Sequence, residues 1–259
     1  MSDSILLTRE GPLATLTFNR PARLNAFDLA MWERLGSLMT EVSADDGLRC
    51  VVLRGAGGRA FAAGADIAEF AETRSDAAQA AAYGKVVEVA VEAIRDCPHP
   101  TLAAIEGACM GGGLELALEC DLRICNASAR FGIPIKRLGH CLPYPAMVTL
   151  VELAGRAIAM ELLLEGRIFA AEEALAKGLV NRVVADDALA AEVAATAKRI
   201  VEGAPLAARA HKRFARRALD PRPIDEAEWL EPLALCDSAD YREGVRAFLA
   251  KEKPAFKGE

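Results

Sequence analysis

Cys109-Met110-Gly111-Gly112-Gly113-Leu114-Glu115-Leu116-Ala117-Leu118 constrains this chain more than any other segment. Three consecutive glycines open onto an apolar, helix-prone run, and a carboxylate follows inside the first turn. Backbone without side chains at a helix start exposes N–H groups that can hold an anion or a developing oxyanion. Glu115 is placed to move a proton beside them, and donors next to a base suit carbonyl chemistry. The same glycines also suit close helix–strand packing, and a first-turn Glu also suits the helix dipole. Taken alone, the stretch leaves both readings open.

The rest of the chain narrows the classes. It has 259 residues, enough for one large domain or one domain with a small appendage. It is 53% hydrophobic and 26% charged, an ordinary balance for a soluble chain with a sizeable core. The net charge of −6 and the lack of any long Lys/Arg run argue against nucleic-acid and membrane partners. Met1–Ile5 lack the charged-then-apolar pattern of a signal peptide, and no apolar run reaches the ~18 residues of a membrane span. The seven cysteines form no C-x-x-C pair and read as reduced core thiols, so a cytoplasmic protein is expected. The three histidines are not at metal-ligand spacing, and no metal is expected.

Along the chain, Ile5–Arg9 and Leu13–Asn19 flank Gly11-Pro12 as a hairpin. Asp28 caps a helix to about Val42, and Asp76 caps one to about Arg95. Arg49–Arg54, Thr101–Ile105 and Asp121–Asn126 read as buried strands, and the segment around Phe131 as another. Ala60–Asp66 reads as a small-residue loop. Beyond Pro145, helices are expected near 146–154, 156–165, 171–177, 187–202, 205–219, 225–236 and 239–250, interrupted by a strand at Leu179–Val184. The Ala-rich Ala188–Ala197 suggests close helix–helix contact. An α/β first part followed by a helical tail is the predicted class, with a core over 1–200 and a helical oligomerisation region over 201–259.

Ala60-Phe61-Ala62-Ala63-Gly64-Ala65-Asp66-Ile67 follows one buried strand, and Gly107–Leu116 follows the next. Together with Asn19-Arg20-Pro21, Leu24-Asn25-Ala26, Cys120-Asp121-Leu122-Arg123, Phe131-Gly132, Leu138-Gly139, Gly178-Leu179-Val180 and Asp240–Gly244, this order resembles the crotonase (enoyl-CoA hydratase/isomerase) superfamily over nearly the whole chain. The resemblance implies an α/β spiral of β-β-α units and a C-terminal helical region that builds a homotrimer or a dimer of trimers. It implies acyl-CoA thioester substrates, with coenzyme A as part of the substrate and no other cofactor. It assigns the oxyanion-binding N–H groups to Ala65 and Gly112 and the acid/base role to Glu115. Arg23, Leu24, Ala26, Ala63, Asp66, Ile67, Gly111, Pro134, Ile135 and Leu138 would contact coenzyme A or the acyl group. Asp66 reads first as the cap of a short helix at Ile67–Ala71 and only second as a group doing chemistry, and Arg23 suits either a CoA phosphate or solvent.

One departure matters. Hydratases of this family typically carry a second Glu in a Phe-Gly-x-Pro-Glu context; here the segment reads Phe131-Gly132-Ile133-Pro134-Ile135. Ile135 has no proton to exchange, so reduced or atypical hydration is expected. His140 and Tyr144 are the nearest substitutes for an acid/base, and both also suit ordinary loop roles. Isomerisation through the second Glu is disfavoured. A malonyl-type acyl-CoA decarboxylase, which needs mainly the oxyanion hole, and a non-catalytic acyl-CoA-binding homologue are the alternatives.

Overall fold

Gly11-Pro12 folds β1 (Ile5–Glu10) back on β2 (Leu13–Phe18) as an antiparallel pair, Ile5 opposite Phe18. Alternate residues of β2 are buried, the period-two signature of a half-covered strand. The computed structural model describes residues 4–259; Met1–Asp3, read above for a targeting pattern, lie outside the described residues. The other strands are β3 (Cys50–Gly55), β4 (Ala60–Ala62), β5 (Thr101–Ile105), β6 (Ala108–Met110), β7 (Leu122–Asn126), β8 (Arg130–Gly132), β9 (Phe169–Ala170) and β10 (Arg182–Val184). The helices are α1 (Leu29–Ser43), α2 (Phe70–Thr73), α3 (Ala77–Arg95), α4 (Gly112–Glu119), α5 (Tyr144–Glu165), α6 (Ala171–Ala176), α7 (Leu189–Val201), α8 (Pro205–Arg217), α9 (Glu226–Ala234) and α10 (Ala239–Ala250).

The strands form two sheets. One has the order β1-β2-β3-β5-β7-β10, parallel from β2 onward; the other has the order β4-β6-β8-β9. Each successive unit gives one strand to each sheet before its helix: β3 and β4, then β5 and β6, then β7 and β8. This is the β-β-α spiral, and it brings the chain segments after β4, β6 and β8 to one end of the smaller sheet. Phe18, Phe27, Phe61 and Trp32 fill the adjoining core, with Phe27 centred 4.9 Å from Phe18 and 4.5 Å from Trp32. Fully burying side chains of this size stabilises by roughly 1.5–3 kcal/mol each.

The helix caps fall where the sequence places them. The Asp28 side chain accepts from Met31 N, and Asp76 accepts from Gln79 N. The division near residue 155 is also present: Gly155, at φ 79°, interrupts α5. Three readings need correction. The Ala60–Asp66 segment begins as strand β4, because Ala60 and Ala62 pair with β6. The strand after Leu179 is shorter than expected and starts at Arg182. The alanine-rich helix α7 packs on the large sheet: Leu189 and Ala197 share a buried cluster with Val52, Leu102 and Ile124. Small side chains there let the helix approach β-strands, not another helix.

Residues 201–259 are tied back to the core. Lys212 of α8 reaches Asp121 at 2.6 Å and the His99 carbonyl at 2.8 Å. Buried Asp240 accepts from Lys257 N and Gly258 N, and Arg49 donates to the Phe256 carbonyl. Trp229, Leu230, Leu233, Phe248 and Leu249 of α9 and α10 are exposed.

Candidate active site

The loop after β4 is held almost entirely by backbone. Ala63 N donates to the Leu24 carbonyl, Phe27 N to the Gly64 carbonyl, and Asp66 N to the Phe27 carbonyl. This pattern leaves the Ala65 N–H outside the bridge. Leu24 and Asn25 adopt left-handed φ of 51° and 55° so that the turn can face the loop. Buried Asn25 offsets that cost: its amide donates to the Ala56 and Ala60 carbonyls, and its oxygen accepts from Arg20 N. Asp66 is both the cap of the short turn at Ile67–Glu69 and the partner of Arg20 (3.1 Å) and Arg23 (3.2 Å). Burial opposes its ionisation, but the hydrogen bonds from Arg20 and Ala68 N outweigh it and hold the carboxyl below its ordinary value.

The second glycine loop meets the first. Gly111 takes φ 49° and ψ −120°, a conformation open to glycine, and donates to the Gly132 carbonyl of β8. Helix α4 then starts at Gly112, whose N–H belongs to the unpaired first turn. A Cβ on Gly112 would stand 3.8 Å from the Ala65 nitrogen and 3.3 Å from the Trp32 ring; one on Gly64 would stand 3.4 Å from the Gly112 nitrogen. The two N–H groups are therefore neighbours. Gly113 has no room for a side chain, since its Cβ would lie 2.3 Å from the Ala62 carbonyl oxygen. Trp32 Nε1 donates to Tyr83 Oη at 3.0 Å, which fixes the indole under the junction.

Glu115 stands one turn into α4, on the wall of a cavity of about 480 Å³. Among the described residues, no group hydrogen-bonds its carboxylate. Burial, reinforced by the charge of Glu119 one turn on, pushes its carboxyl up to about 7; Arg74 pulls weakly the other way. Glu119 is itself buried, and its Oε1 accepts from Thr149 Oγ1 of α5 at 2.7 Å.

The facing wall comes from the segment after β8. Pro134, Ile135, Leu138 and His140 line the cavity, with Ile135 packed on the core. His140 Nε2 accepts from Arg74 Nη2 at 2.7 Å. Burial and the Arg74 charge lower the imidazole pKa and so favour the neutral ring, and accepting from Arg74 at Nε2 leaves Nδ1 to carry its proton.

A sequence profile for enoyl-CoA hydratase/isomerase matches residues 8–259. The chain belongs to that family. Among its relatives, a carnitinyl-CoA dehydratase of Citrobacter koseri is 35% identical, with 100% of each chain covered. A crotonyl-CoA hydratase of Syntrophomonas wolfei is 35% identical over 98% of each. The crystal structure of an enoyl-CoA hydratase/carnithine racemase from Magnetospirillum magneticum superimposes with a TM-score of 0.98 at 52% identity, covering 100% of this chain and 97% of that one. The crotonase fold expected from the sequence is thus the fold of the chain.

Of the residues singled out from sequence, Ala63, Ala65, Ile67, Gly111, Gly112, Glu115, Pro134, Ile135, Leu138 and His140 come together on this one cavity. Arg23, Leu24, Ala26 and Asp66 are not on the cavity wall: Leu24 and Arg23 bond the Ala63–Ile67 loop at Ala63 N and at the Asp66 carboxylate, and Ala26 bonds only Arg20 and Arg23. Tyr144 does not join them: as the first residue of α5 it is 87% exposed and off the cavity wall. Sequence reasoning missed Trp32, Arg74, Tyr83 and Glu119. Glu119 carried a signal, the i,i+4 spacing from Glu115 on one helix face. Arg74 and Tyr83 carried none, because the fold alone carries them to the wall.

Proposed function

We propose that this chain is an enoyl-CoA hydratase-type enzyme acting on acyl-CoA thioesters, with one carboxylate where two are usual. The Ala65 and Gly112 N–H groups receive the thioester oxygen, and Glu115 transfers the proton. Coenzyme A is needed only as part of the substrate. The observation that carries this reading is a buried carboxyl, pushed up to about 7 and without a hydrogen-bond partner among the described residues, beside the neighbouring Ala65 and Gly112 N–H groups in one cavity.

The chemistry follows from that pairing. As carboxylate, Glu115 takes a proton from water while the water oxygen bonds to Cβ of the 2-enoyl group. The electron pair of the Cα–Cβ double bond moves to the thioester oxygen, where the two N–H groups stabilise the enolate. Losing one such donor costs on the order of 10²–10³ in rate in comparable sites. The enolate then takes the proton from Glu115 at Cα, and the carboxylate is restored. A group with a pKa near the working pH can perform both transfers, since neither form is costly to reach. Ile135 supplies no second acid, so turnover is slower than with two carboxylates.

Ile135 also favours a second reading. An apolar wall facing a single carboxylate suits loss of CO₂ from a malonyl-type thioester, in which the departing group itself generates the enolate. Steady-state assays separate the two: hydration of crotonyl-CoA and longer 2-enoyl-CoAs is expected, without CO₂ release from methylmalonyl-CoA. The opposite result replaces hydration with decarboxylation. The exposed apolar residues of α9 and α10 support a homotrimer or dimer of trimers built through residues 201–259.

A further inference from the structure

Arg74 is an unusual neighbour for an acyl group. It follows α2 and lines the same cavity as Glu115. Its guanidinium lies 4.5 Å from the Phe70 ring centre and 5.2 Å from that of Tyr83, so two aromatic faces hold it. Its one hydrogen bond to a side chain runs to His140 Nε2. Among the described residues, no carboxylate pairs with it, in a chain where most other cavity-distant arginines are so paired.

This arrangement orients a cation without neutralising it. A carboxylate in the place of His140 would fix the guanidinium equally well and cancel its attraction for anions. A neutral imidazole fixes it and leaves the charge. Guanidinium has five N–H donors in a planar fork that matches a carboxylate with two parallel bonds. The aromatic rings occupy its faces, and His140 occupies one donor. The other charged groups of the wall do not substitute: Glu92 is held by Arg95 at 3.0 Å, Glu88 repels an anion, and Lys85 and Arg137, exposed like His140, have no ring or imidazole contact among the described residues to orient them.

We propose that Arg74, oriented by His140, is a specificity-determining residue that selects acyl thioesters whose acyl chain ends in a carboxylate. The proposal rests on the reading of the cavity as an acyl-CoA site. The carboxylate of a dicarboxylic monothioester takes the open edge of the guanidinium, while its thioester oxygen lies at Ala65 and Gly112. The reacting carbons then lie between these two anchors, beside Glu115. Ile135 and Leu138 pack against the methylene segment.

Matched pairs test this. In one, trans-2-pentenoyl-CoA and glutaconyl-CoA have equal chain length and differ at the terminus, methyl against carboxylate. In the other, pentanoyl-CoA and glutaryl-CoA are saturated and report binding alone by calorimetry. The wild-type protein is expected to favour the carboxylate member about tenfold or more in kcat/KM and in Kd, the scale of one charge-assisted pair. Arg74→Met should collapse both ratios to near or below one, chiefly through KM, and Arg74→Lys should restore part of each. Ratios within one protein cancel any change that Arg74 variants cause at Glu115. The proposal is overturned if the wild type favours the methyl-terminated members, or if Arg74→Met lowers both members equally, as a merely structural latch predicts. If no enoyl-CoA turns over, hydration has failed as the reaction while the saturated pair still decides the subsite. If neither saturated thioester binds, the acyl-CoA reading and the subsite fall together.

Discussion

The two walls of the cavity obtain their chemistry by different means. On one, Ala63–Asp66 and Gly111–Gly113 present backbone N–H groups, locked by main-chain bonds from Leu24, Phe27 and Gly132. On the other, Pro134–His140 and Arg74 present side chains from segments far apart in sequence. The backbone wall tolerates little change, because its donors need a fixed path and glycine-sized clearance. The side-chain wall can be changed residue by residue, and on the proposed reading Ile135 is such a change, standing where a second carboxylate is expected. On the function proposed above, charge stabilisation falls to the first wall and choice of reaction and substrate to the second.

Changes on the α4 side should be the most damaging. Glu115→Gln keeps the shape of the side chain and removes its proton transfer; hydration of crotonyl-CoA should fall on the order of 10²–10⁴-fold in kcat. A loss below tenfold would remove Glu115 from the mechanism. The same variant should alter stability against pH. The Glu115 carboxyl titrates at about 7 in the folded chain and 4.5 unfolded, so between these values the folded state binds more protons. Its contribution is present below pH 4.5 and is lost as pH rises to 7, by about 3 kcal/mol in total. Urea titrations at pH 5 and pH 8 should show that decline in the wild type, and Glu115→Gln should lack it.

Gly113→Ala tests the rigidity of the backbone wall. Its Cβ would collide with the Ala62 carbonyl oxygen at 2.3 Å, so β4 or α4 must shift. A loss of about 1–3 kcal/mol in unfolding free energy is expected, with a fall in kcat as the donors separate. Unchanged denaturation midpoint and kcat would show that the junction is not tight. The side-chain wall should accept a larger chemical change at less cost. Ile135→Glu is expected to raise hydration about tenfold by supplying a second carboxylate, read as kcat on crotonyl-CoA. A fall would mean that the wall is adapted to an apolar residue.

The same contrast explains what the sequence made legible. The glycine loops, the Asp28 and Asp76 caps and the strand–strand–helix order are local, and each residue's role follows from its neighbours. These local motifs carry the family resemblance, and it is the resemblance that places Ala65, Gly112 and Glu115 together before any coordinates. Arg74 follows the four-residue α2 and Tyr83 lies within α3, neither with a distinguishing pattern, and Tyr144, at the start of α5, faces away from the cavity that the sequence suggested for it. Their placement depends on how α2, α3 and the 133–145 segment pack, which no periodicity encodes. Helix α7 shows the same limit: its alanines announced close packing but not the surface packed against.

The central claim is that one carboxyl, raised to near neutrality, performs both proton transfers, and the pH profile of kcat/KM for 2-enoyl-CoA hydration tests it most directly. The free enzyme must hold Glu115 as carboxylate to activate water, so kcat/KM should fall as pH drops through about 7 and level off above it. A profile flat from pH 5.5 to 8.5, or one whose inflection near 7 persists in the residual activity of Glu115→Gln, would contradict it.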